Sequence, residues 1–527
     1  MGPPKPSPVR PIPLYLALIS LVVLQAAVSF SGAYQMEYVG NYDTAYYYAV
    51  ARNIALGQVN SDTVLWHWLG TPEHVARPPG DYWSPGWPFI LGMAMRIAGH
   101  TMKSSMWICA ILSLALPLLT FRAAYSIRPS IFLAWLAGLV LIPQERLRES
   151  NFMPDIALPY QVVTLLGLCL LLSAQEAVRG SRRRWLIAGA VLTIPLWLRG
   201  DGFVVCAAAV AAILLDVRFT PRERGTRAGW LLVGSAACLA PFLAYNIWAF
   251  GSITPEPRAM VPFMRGFSDL YRFETDPTFA GWWAQGPVEL TEQVGDVLLK
   301  RASHLAQEVP FPLLALALLG AVAGGRRWLI DPKILPLTLT LGISWLVPAV
   351  TAPVIAKNPG RFVQSATPLL CVLAAVGLGV AIHRWRTRGG ATVALALAFL
   401  VCGSVWFWPI SARNPLARAG WKDSYTPIPE CLRPEGRPFL EPTDIVLTTD
   451  PWQVSAVVGV PTVMIPIDST EAIRNVVAKY HPRYLFIPDN TQWTMVASNG
   501  GRAIPELDLD GRRLEGCTGG TWFELAR

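Results

Sequence analysis

Apolar runs recur along this chain from Ile12 to Ile410 and then cease. A run of this kind crosses a bilayer as a helix, and a full crossing takes roughly 20 residues. Eleven runs read as spans: Ile12–Phe30, Ser104–Phe121, Ile131–Ile142, Pro154–Leu172, Trp185–Trp197, Phe203–Leu215, Gly229–Phe250, Pro310–Gly324, Ile334–Val350, Phe362–His383 and Ala391–Ile410. Several are shorter than a full crossing. With 53% hydrophobic and 15% charged residues in 527, the composition is not that of a soluble protein. The first run has no A-x-A-like site after it and does not read as a cleavable signal peptide. The expected fold is a polytopic α-helical membrane protein with about eleven transmembrane helices over residues 1–410 and a small C-terminal α/β domain over 411–527.

Loop charges set the orientation. With a cytoplasmic N-terminus, one face carries 18 basic residues against four acids; the opposite face, the tail excluded, carries 14 basic and 17 acidic residues. Basic loops stay cytoplasmic, so this orientation is selected. It requires Trp87–Gly99, broken by Pro85 and Pro88, to lie on the surface or re-enter rather than cross. The first outer loop then spans 31–103, the fourth spans 251–308, and the tail lies outside the cytoplasmic (inner) membrane. The tail from Ser411 holds 12 basic and 14 acidic residues, so the net charge of +9 comes from the cytoplasmic loops and does not indicate nucleic acid.

Within the tail, Asp444–Thr449, Pro461–Ile465 and Arg483–Pro488 read as strands, and Pro451–Val458 and Ser469–Tyr480 as helices. Six of the eight cysteines lie in apolar runs; Cys431 and Cys517 lie in the tail, where an oxidising exterior would let them bridge. No cysteine spacing resembles a zinc site.

The segment Gly40–Gly57, GNYDTAYYYAVARNIALG, follows the first span. Tyr46, Tyr47, Val50, Ala51 and Ile54 share one helical face, Asp43 is placed to cap the first turn, and Gly57 to stop the helix. Such a helix is too short to cross a bilayer and suited to lying on one. The spans themselves hold almost no ionisable side chain, which disfavours pumps and proton-coupled transporters. Acids gather outside instead: Glu37, Asp43, Asp62, Glu73, Asp81, Glu145, Glu149, Asp155 and Asp201. Beside them lie Arg52, Arg77, Arg146, Arg148, Arg199, Lys357 and Arg361, suited to a phosphate. A carboxylate with cations at a membrane surface suits chemistry on a lipid-linked phosphate. Tyr46, Tyr48, Trp66, Trp68 and Trp83 could stack on sugar faces, although interface anchoring fits each of them as well.

These segments resemble the GT-C class of integral-membrane glycosyltransferases, in the group of the lipid A aminoarabinose transferases and protein O-mannosyltransferases. NYDTAYYYAVARNIALGQ, RPPGDYWSPGWPFILGMAMRIAG, SNFMPDIALPYQVVTLL, LWLRGDGFVV, YNIWAFGSITPEP and RFVQSATPLL occur in that order from Asn41 to Leu370. The resemblance departs at Thr44, where many relatives carry a second acid, and at Gly200, where proline is common. It implies inverting transfer of a sugar from a polyprenyl-phosphate donor to a glycan, lipid or protein acceptor. Asp43 would be the general base, its pKa raised by burial against Tyr46 and Tyr47; Asp155 would orient acceptor or sugar. Arg77, Arg199, Lys357 and Arg361 would hold the phosphate, with Asp201 and Tyr46 beside them. A divalent metal stays open, since GT-C enzymes differ in this. Plainer roles also fit: Asp43 as a cap, Asp155 as a first-turn acid, Arg199 and Asp201 as a pair across their turn. A flippase or transporter of a lipid-linked glycan, and an inactive scaffold, are the alternatives.

Overall fold

The computed structural model describes residues 11–36, 39, 42–144, 147, 150–176, 182–274, 276–325, 328, 330–357, 360–385, 440–488, 511–517 and 520–525. Ten expected spans fall on them and each is helical; Ala391–Ile410 lies outside the described residues, as do Cys431 and with it the expected bridge. The longer helices are α1 (Pro11–Gln35), α2 (Tyr42–Ala55), α3 (Gly86–Ala98), α4 (Met102–Ser113), α5 (Ala115–Ile127), α6 (Ile131–Leu141), α7 (Ala157–Glu176) and α8 (Arg182–Leu198). They continue as α9 (Phe203–Leu215), α10 (Pro221–Phe250), α11 (Gly286–Glu308), α12 (Phe311–Gly324), α13 (Leu335–Thr351) and α14 (Gly360–Trp385). Five stretches are long and apolar enough to cross a membrane, or six if α11 and α12, bent by 110°, make one crossing. The chain is thus built as a multi-pass membrane protein.

Local sequence explains the helix ends. α10 opens on a capping box, in which Thr220 and Glu223 satisfy each other's backbone N–H groups, and closes on Gly251 in the left-handed conformation. Small residues let the helices approach. A Cβ at Gly189 of α8 would lie 1.9 Å from the Leu231 carbonyl, and one at Gly234 of α10 would lie 2.0 Å from the Leu186 carbonyl. Without a hydrophobic driving force between helices in lipid, such close contact carries the packing.

The tail's sheet has six strands: β1 (Val64–Leu65), β2 (Val446–Thr448), β3 (Thr462–Met464), β4 (Tyr484–Pro488), β5 (Gly511–Cys517) and β6 (Gly520–Leu525). They run in the order β1-β3-β2-β4-β6-β5, with β1, β3, β2 and β4 parallel and β6 and β5 antiparallel. Helices α15 (Pro451–Val458) and α16 (Thr470–Tyr480) make the crossovers, and Ser469 caps α16 as its position suggests. The β5–β6 hairpin was not expected, because its charged, glycine-bounded sequence lacks a clear apolar alternation.

β1 corrects the picture of a separate tail. It comes from the loop between α2 and α3 and pairs in register with β3, Val64 opposite Thr462 and Leu65 opposite Val463. α2 also departs from expectation. Thr44 to Ala51 and Asn53 are all buried, so no face of its central part is left for a membrane surface. α3 packs on one side of it, where a Cβ at Gly92 would meet the Ala51 carbonyl at 2.8 Å, and α15 covers the other. α3 itself keeps Ile90, Met93 and Ile97 exposed, the pattern of a helix lying in an interface.

The helix crossing gives a direct test. Gly234→Leu is expected to cost about 1–3 kcal/mol through overpacking, whereas Gly229→Leu, with nothing within 4 Å of its Cβ position, should be near neutral. Thermal unfolding in detergent distinguishes the two.

Candidate active site

Asp43 sits in the first turn of α2, and Gly57, at φ +85, receives the chain as it leaves, donating to the Ile54 carbonyl at 2.9 Å. The Asp43 carboxylate forms an ion pair with Arg361 in the first turn of α14, 318 residues away. A cation at a helix N-terminus opposes the helix dipole, so Arg361 needs an anionic partner there. Asp155, just before α7, accepts the Ala157 N–H at 2.7 Å. Burial, and then the like charge on Asp43, push its carboxyl pKa up.

Arg199 closes α8. It donates to Asp201 Oδ2 at 2.9 Å and to Ser365 Oγ of α14 at 3.2 Å, and lies 4.8 Å from the centre of the Tyr160 ring of α7. The turn it opens needs glycine at 202, where a Cβ would lie 2.1 Å from the Pro195 backbone. Arg199 and Asp201 therefore do pair across their turn, and the same arginine ties α7, α8 and α14 together.

A cavity of about 530 Å³ lies against this group. Tyr47, Tyr82, Trp83, Arg199, Asp201 and Arg361 line its polar end, and Leu239, Phe242, Leu243, Pro348 and Ile355 its apolar part. Asp43 and Asp155 stand behind Arg361 and Tyr47 rather than on the wall formed by the described residues. After burial, the charges acting on the Tyr47 phenol are Asp43, Arg361, Asp155 and Arg199, and its pKa is raised. Tyr47 is thus the meeting point of the site.

Tyr46 is not. It is one residue away and points about 100° around the helix. Its hydroxyl donates to Asp62 Oδ2 at 2.8 Å, in a buried first-loop cluster where Arg77 lies 2.6 Å from Asp81 and 3.4 Å from Asp62, with His67 3.3 Å from Asp81. Arg77, expected at the phosphate, is buried on these partners and is not among the described residues that line the cavity. Lys357 is exposed and also off the wall. Of the expected aromatics only Trp83 lines the cavity; Tyr48, Trp66 and Trp68 are buried within the protein, so interface anchoring does not describe them. Glu37, Glu145, Arg146, Arg148 and Glu149 lie outside the described residues.

Two further arginines escaped the sequence reading. Arg258 donates to the carbonyls of Gly80, Tyr82 and Trp83, fixing the loop that presents both aromatic rings to the cavity. Arg301 donates to the carbonyls of Ser344 (3.1 Å), Trp345 (2.6 Å) and Ala356 (3.3 Å). Pro348 has no N–H for the Ser344 carbonyl, and Arg301 supplies the missing donor. Pro348 could have signalled a need for such a donor, but its source lies on another helix. Among the described residues no group of three or more His, Cys, Asp or Glu is arranged to hold a metal ion.

No protein-family model and no curated protein matches the chain. Solved structures do. The oligosaccharyltransferase of Archaeoglobus fulgidus, in its complex with Zn and sulfate, aligns with a TM-score of 0.56 at 14% identity, covering 97% of this chain and 73% of that one. The same enzyme tethered to an acceptor peptide containing the NVT sequon gives 0.55 at 15% identity, covering 97% and 74%. ArnT from Cupriavidus metallidurans bound to undecaprenyl phosphate gives 0.56 at 14%, covering 96% and 97%. The chain shares the GT-C fold of these membrane glycosyltransferases.

The first-loop cluster carries a pH signature. Burial pushes the Asp62 carboxyl up to about 6 against the pull of Arg77. A carboxyl raised above its unfolded value stabilises the fold below that value and loses the contribution as pH rises through about 6. Asp62→Asn is therefore expected to flatten the loss of thermal stability between pH 4 and about 6.

Proposed function

We propose that this chain, on its GT-C fold, transfers a sugar from a polyprenyl-phosphate donor to an acceptor hydroxyl on the outer side of the cytoplasmic membrane, with inversion at the anomeric carbon. In this reading eleven crossings place the first and fourth outer loops and the C-terminal domain on one side. The observation that carries the proposal is the Asp43–Arg361 pair, whose arginine lines a cavity with one cationic, aromatic end and one apolar part.

The donor's phosphate would dock on Arg361 and Arg199, with its polyprenyl chain along Leu239, Phe242 and Leu243. The donor's phosphodiester carries one negative charge, as a carboxylate does, and offers the two arginines oxygens for charge-assisted hydrogen bonds. Docking would draw Arg361 from Asp43 and leave the carboxylate as an acceptor for the substrate hydroxyl proton. The acceptor oxygen then bonds to the anomeric carbon, the bond from that carbon to the phosphate oxygen breaks, and the proton passes to Asp43. The lipid phosphate leaves as a monoester, its growing charge met by the two arginines, a preorganised arrangement that costs no rearrangement during the step. Asp155, with its raised pKa, would orient the acceptor or the sugar through a hydroxyl.

Asp43→Asn is expected to lower kcat by about 10²–10⁴-fold, the usual share of a general base, with undecaprenyl phosphate still bound. Unchanged transfer by this variant would remove Asp43 from the chemistry. Donor binding and movement without any transfer in the wild type would favour the transporter reading. Arg361→Ala should weaken undecaprenyl phosphate binding by roughly 10–100-fold, the loss of a charge-assisted hydrogen bond, measured by ligand-dependent thermal stabilisation.

A further inference from the structure

The C-terminal domain touches the helix bearing Asp43 at both ends. At the far end of α2, Arg52 donates to the carbonyls of Ser455 (3.2 Å) and Ala456 (3.1 Å) in the last turn of α15. The Ser455 carbonyl also accepts the Gly459 N–H at 2.9 Å, and the negative end of the α15 dipole favours a cation there. Gly459, left-handed at φ +86, ends α15 against this contact; a Cβ there would lie 3.3 Å from the Arg52 guanidinium.

At the near end, the ring of Tyr42, the residue before Asp43, lies 5.0 Å from that of Trp452 in the first turn of α15. Trp452 also lies 5.7 Å from Trp66, which stacks on Trp83 at 4.4 Å, and Trp83 lines the cavity. The two helices thus pack against each other through the first and last turns of α15. β1 binds the same first loop into the domain's sheet. The fourth outer loop joins them: the Ile467 N–H donates to the Tyr271 carbonyl at 3.0 Å, and Asp468 accepts from Phe273 and Glu274.

We infer that the C-terminal domain is a positioning clamp on α2, with Arg52 and Trp452 as the residues that hold Asp43 in register with Arg361. The inference rests on the sugar-transfer reading for its functional half and on α2 packing alone for its structural half. Neither residue lines the cavity among the described residues, so both act through α2 and not on substrate.

The test uses the full chain in nanodiscs, comparing Arg52→Ala, Arg52→Lys and Trp452→Ala with wild type. Amide exchange over Thr44–Ala51 is expected to speed up by about tenfold or more in the two alanine variants, with α7 and α14 unchanged. With a polyprenyl-phosphate sugar as donor, kcat should fall by roughly tenfold or more while KM for the donor stays within about threefold, since small misplacement of a reacting group is costly. Arg52→Lys should recover part of both effects. Wild-type exchange rates over α2 in both alanine variants would overturn the clamp whether or not the chain is active. Faster α2 exchange with undiminished kcat would overturn its positioning role. If the wild type transfers no sugar, the sugar-transfer reading fails on its own and the exchange comparison still decides the clamp. If the alanine variants lose protection throughout, Trp452→Phe and Arg52→Lys carry the same comparison.

Discussion

The ion pair between Asp43 and Arg361 is the contact that the site's surroundings are arranged around. It joins a helix from the first loop to the start of a late membrane helix, and each partner needs the other. Arg361 stands against a helix dipole that disfavours it, and Asp43 stands beside Asp155, a carboxyl of like charge. Remove either residue and a half-buried charge is left uncompensated, which costs more than the pair itself contributes. The pair also places a guanidinium on the wall of a cavity with an aromatic, cationic end and an apolar part, with the carboxylate behind it.

Other parts of the structure hold that boundary in place. Arg199 ties the ends of three helices to one another, Arg258 fixes the loop that carries Tyr82 and Trp83, and Arg301 caps carbonyls near the Pro348 break. Arg77, Asp62, Asp81 and His67 brace the base of the first loop. Charge in this protein therefore does two jobs at different depths. Buried groups shape loops, and the half-buried groups at the cavity wall remain available to a ligand.

Much of this was legible in the sequence. Ten of the eleven apolar runs fall on described helices, and Ser469 marked the start of α16. Asp43, Asp155, Arg199, Asp201 and Arg361 could be singled out because a charge beside an apolar run needs a reason. What could not be read was pairing across long separations. Nothing local distinguishes Arg77, which turns inward to Asp81, from Arg361, which turns outward to Asp43. Tyr46 and Tyr47 differ only by one step around a helix whose two faces are both covered, so the rule of one apolar face does not choose between them. The two-residue strand β1 has no periodicity to detect, and its partner lies almost 400 residues later.

The central claim is that donor phosphate replaces Asp43 on Arg361. A cryo-EM structure of the full chain with undecaprenyl phosphate tests this most directly. The account predicts phosphate density between Arg361 and Arg199, with the Asp43 carboxylate parted from Arg361 and facing the cavity beside Tyr47. Phosphate bound elsewhere, with the Asp43–Arg361 pair intact, would contradict it.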